Sequence, residues 1–271
     1  MQSSNPVFAR SEGFNGKGGT AYADFGSGSP MTHTQVGTGR MNIDTVVQKT
    51  GLTLGVVVLV AAATWLLTGD IVDGAGYVQS DVASKLYGIS MVGAFGGFIL
   101  SLVNSFKREI SPALVVAYAA FEGLFVGAFS KVVGQWVGDG VVVGAVVGTV
   151  AAVAGTLAAY KFFDIKVGAK FRTWTIGLMF GFVAVSLLDF VMGMFHSSFG
   201  FNGFGPMGLV SSVIGLGIGV LMLILDFDFV ERGIAAGLPE RESWRAAFGL
   251  TVTIVWIYIE LLRLLAILRG D

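Results

Sequence analysis

The chain has 271 residues, 54% of them hydrophobic and only 13% charged, with a formal net charge of −1. A soluble domain carries about 25% charged residues, so this composition and a mean hydropathy of +0.77 point to an all-α integral membrane protein. No basic patch interleaved with aromatics supports nucleic-acid binding, and zero cysteines exclude disulfides, thiolate metal sites and cysteine nucleophiles.

Residues 1–45 are rich in Gly, Ser, Thr and Asn and show no apolar periodicity, which predicts a disordered polar cytoplasmic tail. No early charged-then-apolar pattern ends in a cleavage site, so the first span is expected to be its own insertion signal. Residues 46–271 read as a seven-helix transmembrane bundle. The apolar runs fall near 50–68, 84–105, 112–132, 138–160, 173–195, 207–227 and 246–267. Each supplies close to the ~20 residues that a helix needs to cross a bilayer. They lack the ten-residue alternation of a transmembrane barrel. In the fourth run, Gly144 and Gly148 form a G-x-x-x-G, a spacing that lets helix backbones approach closely. The glycines of the second run (Gly93, Gly96, Gly97) and sixth run (Gly215, Gly217, Gly219) suggest the same tight packing.

Lys and Arg placement sets the expected orientation. With the N-terminus in the cytoplasm, thirteen of the seventeen basic residues lie on the inside. They sit in the tail, after span two (Lys107, Arg108), between spans four and five, and between spans six and seven (Arg232, Arg241, Arg245). The last span is the exception, because Arg263 and Arg269 then fall near or beyond the outer face. Its length fits a full crossing; a re-entrant return to the cytoplasm would relieve the charge conflict.

An ionisable residue inside a membrane span is a functional candidate by default. Asp226 directly follows the apolar LMLIL and is expected to point inward. Asp228 and Glu231 fall beyond the run and are expected to solvate at the headgroup boundary. Glu260 lies deep in the last span, with Arg263 three residues on, a same-face spacing that permits an ion pair. Two arrangements fit Glu260: a structural pair with Arg263, or a meeting with Asp226 across the helix interface. In the second, two close carboxylates share a proton and titrate as a unit, which makes a pH switch. Such a pair would also offer oxygen ligands for a weak, transient Ca²⁺ contact. Glu122, in AYAAFEGLFVGAF, is either a relay or pathway residue or a partner for Ser, Tyr or Asn groups on neighbouring helices. Asp189 is expected to reach toward the outer interface. Trp65, Trp174, Trp244 and Tyr160 fit an aromatic belt.

Enzyme readings find no support. The only histidines are His33 in the tail and His196 in a loop. Neither a G-x-G-D nor a P-loop motif occurs. No catalytic residue and no resident cofactor are expected.

Three segments, NSFKREISPALVVAYAAFEGLFVGAFSK, LDFDFVERG and FGLTVTIVWIYIELLRLLAILRGD, together resemble the Bax inhibitor family, also called the transmembrane Bax inhibitor motif family, in its bacterial branch. The resemblance covers about residues 45–271. It implies a bundle whose seventh helix is central, placed in the cell (inner or plasma) membrane. It also implies a pH-sensitive Ca²⁺ leak governed by two acids, whose positions fall on Asp226 and Glu260. Relatives commonly carry Asp at the second position, and Glu here keeps the carboxylate. Relatives also have a second-helix arginine latched to the sixth-helix acid. Span two here, LYGISMVGAFGGFILSLVNS, has no arginine, and Arg263 is the expected counter-charge in its place.

The leading expectation is therefore a pH-sensitive Ca²⁺-permeable leak channel, gated by Asp226 and Glu260, with Arg263, Glu122 and Asp228 as accessory residues. Its partners would be the bilayer, Ca²⁺ as permeating ion and protons. The competing expectation is a non-transporting regulator that binds membrane proteases or other membrane proteins. A proton-coupled transporter, using Glu122, stands third.

Overall fold

The computed structural model describes residues 39–72, 74, 76–138 and 140–270. Among these residues seven α-helices run in order: α1 (Ile43–Leu67), α2 (Ser80–Phe106), α3 (Pro112–Val137), α4 (Gly140–Phe162), α5 (Ala169–Met194), α6 (Pro206–Ala235) and α7 (Glu242–Arg269). All seven are long and apolar enough to cross a membrane, and the chain is a multi-pass helical membrane protein.

Local chemistry sets the helix starts. Asn42 caps α1 by accepting from the Thr45 N–H at 2.8 Å, while the Thr45 hydroxyl accepts from the Asn42 N–H at 3.2 Å. This reciprocal box satisfies two donors that a helix start otherwise leaves unpaired. Pro112 and Pro206 occupy the first turns of α3 and α6, where a missing N–H costs nothing.

Of the expected tail, residues 1–38 lie outside the described residues. Gly39–Thr45 belong to the folded part. The Met41 N–H donates to the Leu238 carbonyl at 2.8 Å, and the Gly39 carbonyl accepts from the Glu240 N–H at 2.8 Å. The Met41 side chain is buried in an apolar cluster with Val46, Val230 and Ala246. An apolar residue between polar ones gives no periodicity to read, yet here it anchors the entry to α1.

α7 is the most buried of the seven helices. It packs directly on α6, α4, α1 and α3, while α2 and α5 form an outer layer through α3 and α6. Its surface is divided by chemistry. Hydroxyl pairs join it to α1 (Thr45–Ser243 and Thr53–Thr251, both 2.8 Å) and to α3 (Ser130–Tyr258, 2.6 Å). Leu261 and Leu265 pack on Gly148 and Gly144 of α4; a Cβ added at either glycine would come within 3.3 Å of a leucine methyl. The G-x-x-x-G of span four is thus a seat for α7.

α7 runs as one unbroken helix, with no re-entrant turn among the described residues. Near its start, Arg245 donates to the carbonyls of Lys107 and Arg108 in the α2–α3 turn. At its end, Arg269 lies against Gly140 at the α3–α4 turn. The helix therefore joins opposite ends of the bundle. α6 runs eight residues beyond the expected span end of 227, to Ala235, so Asp226, Asp228 and Glu231 are all helical.

Candidate functional site

α6 and α7 form an antiparallel hairpin, and its seam carries two separate polar layers. The first belongs to Asp226, which is partly buried. Its Oδ2 accepts from the Thr253 hydroxyl of α7 at 2.6 Å. Its Oδ1 lies beside Gly249, where an added Cβ would stand 3.3 Å away. Among the described residues no ion pair involves Asp226. The carboxyl lines a cavity of about 280 Å³ together with Asn104, Ser105, Phe229, Arg245 and Gly249. Arg245 is the one cation on that lining, and Glu242 holds its Nε at 2.7 Å.

The second layer belongs to Glu260, which is 5% exposed and pairs with Arg263 at 3.2 Å. The Arg263 guanidinium also donates to the Phe201 carbonyl at 2.8 Å and the Ser211 hydroxyl at 3.0 Å. These bonds tie α7 to the α5–α6 loop. Asp189, 3% exposed, fastens the same loop from α5. Its carboxylate accepts from the backbone N–H groups of Phe199 (2.8 Å), Gly200 (3.1 Å) and Asn202 (2.8 Å). The rings of Phe182, Phe201 and Trp256 close over this layer, at centroid spacings of 5.0 and 5.4 Å.

The expected meeting of Asp226 and Glu260 does not occur. Glu260 packs against Gly215, and Asp226 against Thr253 and Gly249. Gly215 and Asp226 are eleven residues apart on α6, about 16 Å along the axis at the usual helical rise. Leu223 and Ile257, both fully buried, lie between them on the seam. Of the two arrangements open to Glu260, the structure shows the pair with Arg263.

Arg263 is accordingly a counter-charge to Glu260 and not to Asp226. Asp228 also departs from expectation. It is 5% exposed rather than solvated, held by Arg232 at 2.9 Å and Arg172 at 3.5 Å. The extra turns of α6 carry it back beneath the α4–α5 loop, whose Val167 carbonyl accepts from Arg232. Glu231 is exposed as expected, and accepts from the Tyr160 hydroxyl at 2.6 Å. Tyr160 thus has a defined partner beyond its belt position.

Glu122 lies at neither layer. It faces α2, where a Cβ at Gly97 would stand 2.9 Å from its Oε2, and its side-chain partner is Tyr118, one turn earlier on α3. Asp189 points into the loop backbone instead of the interface, because successive N–H groups there converge on one carboxylate. Lys131, also buried, donates to the Trp65 carbonyl at 2.7 Å.

Sequence reading did not single out Thr253, Asn104 or Ser211. A hydroxyl in an apolar helix usually bonds its own backbone, so Thr253 and Ser211 gave no signal. Asn104 gave one, since an amide inside a span needs partners. Among the described residues no group of three or more His, Cys, Asp or Glu side chains could hold a metal ion.

Compared with known proteins, residues 5–270 match the family model described as Bax inhibitor 1 like. No curated protein matches the chain.

Proposed function

The chain belongs to the Bax inhibitor 1 like family, and from that premise we propose that it is a passive, pH-modulated, Ca²⁺-permeable leak. Asp226 is its proton-sensing and cation-contacting residue, and the N-terminus faces the cytoplasm of a cell whose inner or plasma membrane holds the protein. One observation carries this reading: a carboxyl in a membrane hairpin, without an ion-pair partner among the described residues, opening on a cavity of about 280 Å³. An intramembrane acid left unpaired is costly unless a proton or cation joins it.

The groups facing Asp226 bear on its pH response. α7 presents Thr253 and Arg245, and α2 presents Asn104 and Ser105. Arg245 is already engaged by Glu242. Ionised Asp226 attracts a cation; protonated Asp226 does not. Flux should therefore fall as pH is lowered. Glu260, neutralised by Arg263, acts on the far layer and not as a second proton site. The Leu223–Ile257 contact between the layers is the barrier that parts for an ion to pass.

The test is Ca²⁺ flux into dye-loaded liposomes holding the purified protein, across about pH 6 to 8. Asp226→Asn should flatten the pH profile, and Glu260→Gln should leave a pH-dependent profile. No flux above empty liposomes from folded protein would sink the leak and favour a non-transporting regulator of membrane proteins.

A further inference from the structure

α1 and α4 both pack on α3 and α7, yet among the described residues they do not pack on each other. Glycine seats explain the gap. On α3, Gly123 and Gly127 draw in the α1 backbone: a Cβ added at these positions would stand 2.7 and 2.5 Å from the Val57 and Ala61 carbonyl oxygens. On α4, Gly144 and Gly148 receive Leu265 and Leu261 of α7. Each helix is drawn onto its own neighbour, and a groove of about 380 Å³ opens between them. Ser130 and Tyr258 lie on its lining and bond each other at 2.6 Å. The Thr149 hydroxyl, also on the lining, donates to the Ala145 carbonyl at 2.7 Å. The rest is almost wholly aliphatic, and Val58, Val146 and Val150 on the walls are exposed. The groove therefore opens sideways, toward the bilayer that the spans cross.

Its dimensions select the occupant. The groove runs from Leu54, midway along α1, to Trp65 near the end of that helix. Those eleven residues rise about 16 Å, close to half of the ~30 Å hydrocarbon core of a bilayer. A volume of about 380 Å³ over ~16 Å is a mean cross-section of about 24 Å². A helix from a partner or a second copy, about 10 Å across, needs about 80 Å² and does not fit. One extended hydrocarbon chain, with carbon contacts near 4 Å, needs roughly 20 Å². Trp65 marks the open end at the level where aromatic rings meet headgroups. Among the described residues no charged side chain lines the groove. Lys131, beside Trp65, is buried and committed to the Trp65 carbonyl at 2.7 Å. A free fatty acid would bring its carboxylate to a wall without a counter-charge. A phospholipid needs none, because its head stays solvated in the headgroup layer.

We propose that the groove between α1 and α4 binds one acyl chain of a membrane phospholipid, taken from the leaflet on the side of the α3–α4 turn. The chain supplies the packing that α1 and α4 do not give each other. It also covers the Ser130–Tyr258 hydrogen bond that ties α7 to α3. Binding requires neither Asp226 nor ion flux.

Native mass spectrometry of the full-length protein, extracted from membranes and washed in detergent, tests this directly. The wild-type protein should retain one phospholipid. Val58→Phe combined with Val146→Phe fills the groove from both walls and should lower the retained fraction about tenfold. Leu187→Phe combined with Leu188→Phe, at exposed positions of α5, should leave it unchanged. In liposomes, a phospholipid with a diazirine at the end of one chain should label Leu54 and Ile254 more densely than α5. That arm carries the test if the filled variant fails to fold. Equal retention by the filled and wild-type proteins overturns the inference, as does a free fatty acid in place of the phospholipid. Absence of retained lipid, with labelling no denser in the groove than on α5, overturns it too. Absence of retained lipid with labelling concentrated in the groove supports a site that exchanges with the bilayer.

Discussion

Glu260 and Arg263 are buried to almost the same degree, 5% and 7% exposed, and neither has a solvent route to neutrality. Removing one partner leaves the other charge unpaired, a loss of about 3–5 kcal/mol for buried pairs. Arg263→Met should therefore lower the thermal midpoint in detergent sharply. The double variant Glu260→Gln, Arg263→Met should recover most of that loss, since two uncharged side chains restore balance. A double-mutant cycle measures the coupling; additive losses would show that the two residues act separately. The same-face spacing made this pair legible in the sequence. The role of Asp189 was not legible, because the N–H groups it binds belong to a loop whose path only the folded chain defines.

For the α6–α7 hairpin, register decides which residues meet. In an antiparallel pair with a short turn, residues about equally far from the turn face each other. Asp226 lies nine residues before the end of α6, and Thr253 lies eleven after the start of α7, whereas Glu260 lies eighteen after it. Counting from the expected span ends, 227 and 246, separates the two acids as well, so their distance was legible in the sequence. The seven spans themselves were legible, since apolar run length is set by the bilayer and needs no knowledge of packing. Glycine contacts divide into two kinds at this scale. A Cβ at Gly144 would meet the end of a leucine side chain at 3.3 Å, while one at Gly93 would meet the Phe125 backbone nitrogen at 2.5 Å. A leucine methyl yields and a helix backbone does not. Gly144→Ala should thus be nearly neutral, and Gly93→Ala should destabilise by about 1–3 kcal/mol, the usual range for overpacking. Thermal unfolding in one detergent compares them, and equal losses would show that the α2–α3 contact can relax.

Across the whole molecule, the two polar layers lie at opposite ends of the α6–α7 seam. The Asp226 end also gathers basic side chains: Lys49 on Glu240, Arg241 on Glu109, and Arg232 and Arg172 on Asp228. This clustering fits the N-terminus-inside orientation. A thiol at Lys166→Cys should then react with an impermeant maleimide only after cells are opened, and one at Ser198→Cys should react in intact cells. The reverse pattern would invert the proposed topology. If the proton-sensing acid sits at the inner end and the Asp189–Arg263 strap at the outer end, their failures should differ in kind. Asp226→Asn removes the group that changes charge, so the pH profile should flatten. Asp189→Asn weakens the acceptor that holds three loop N–H groups, and the strap should loosen without touching the titrating carboxyl. Leak should then rise several-fold at every pH, with the midpoint of the profile unmoved. Liposome flux of the two variants side by side separates sensing from sealing. A shifted midpoint in Asp189→Asn would mean that the two layers are coupled through the Leu223–Ile257 seam, which would then transmit as well as block.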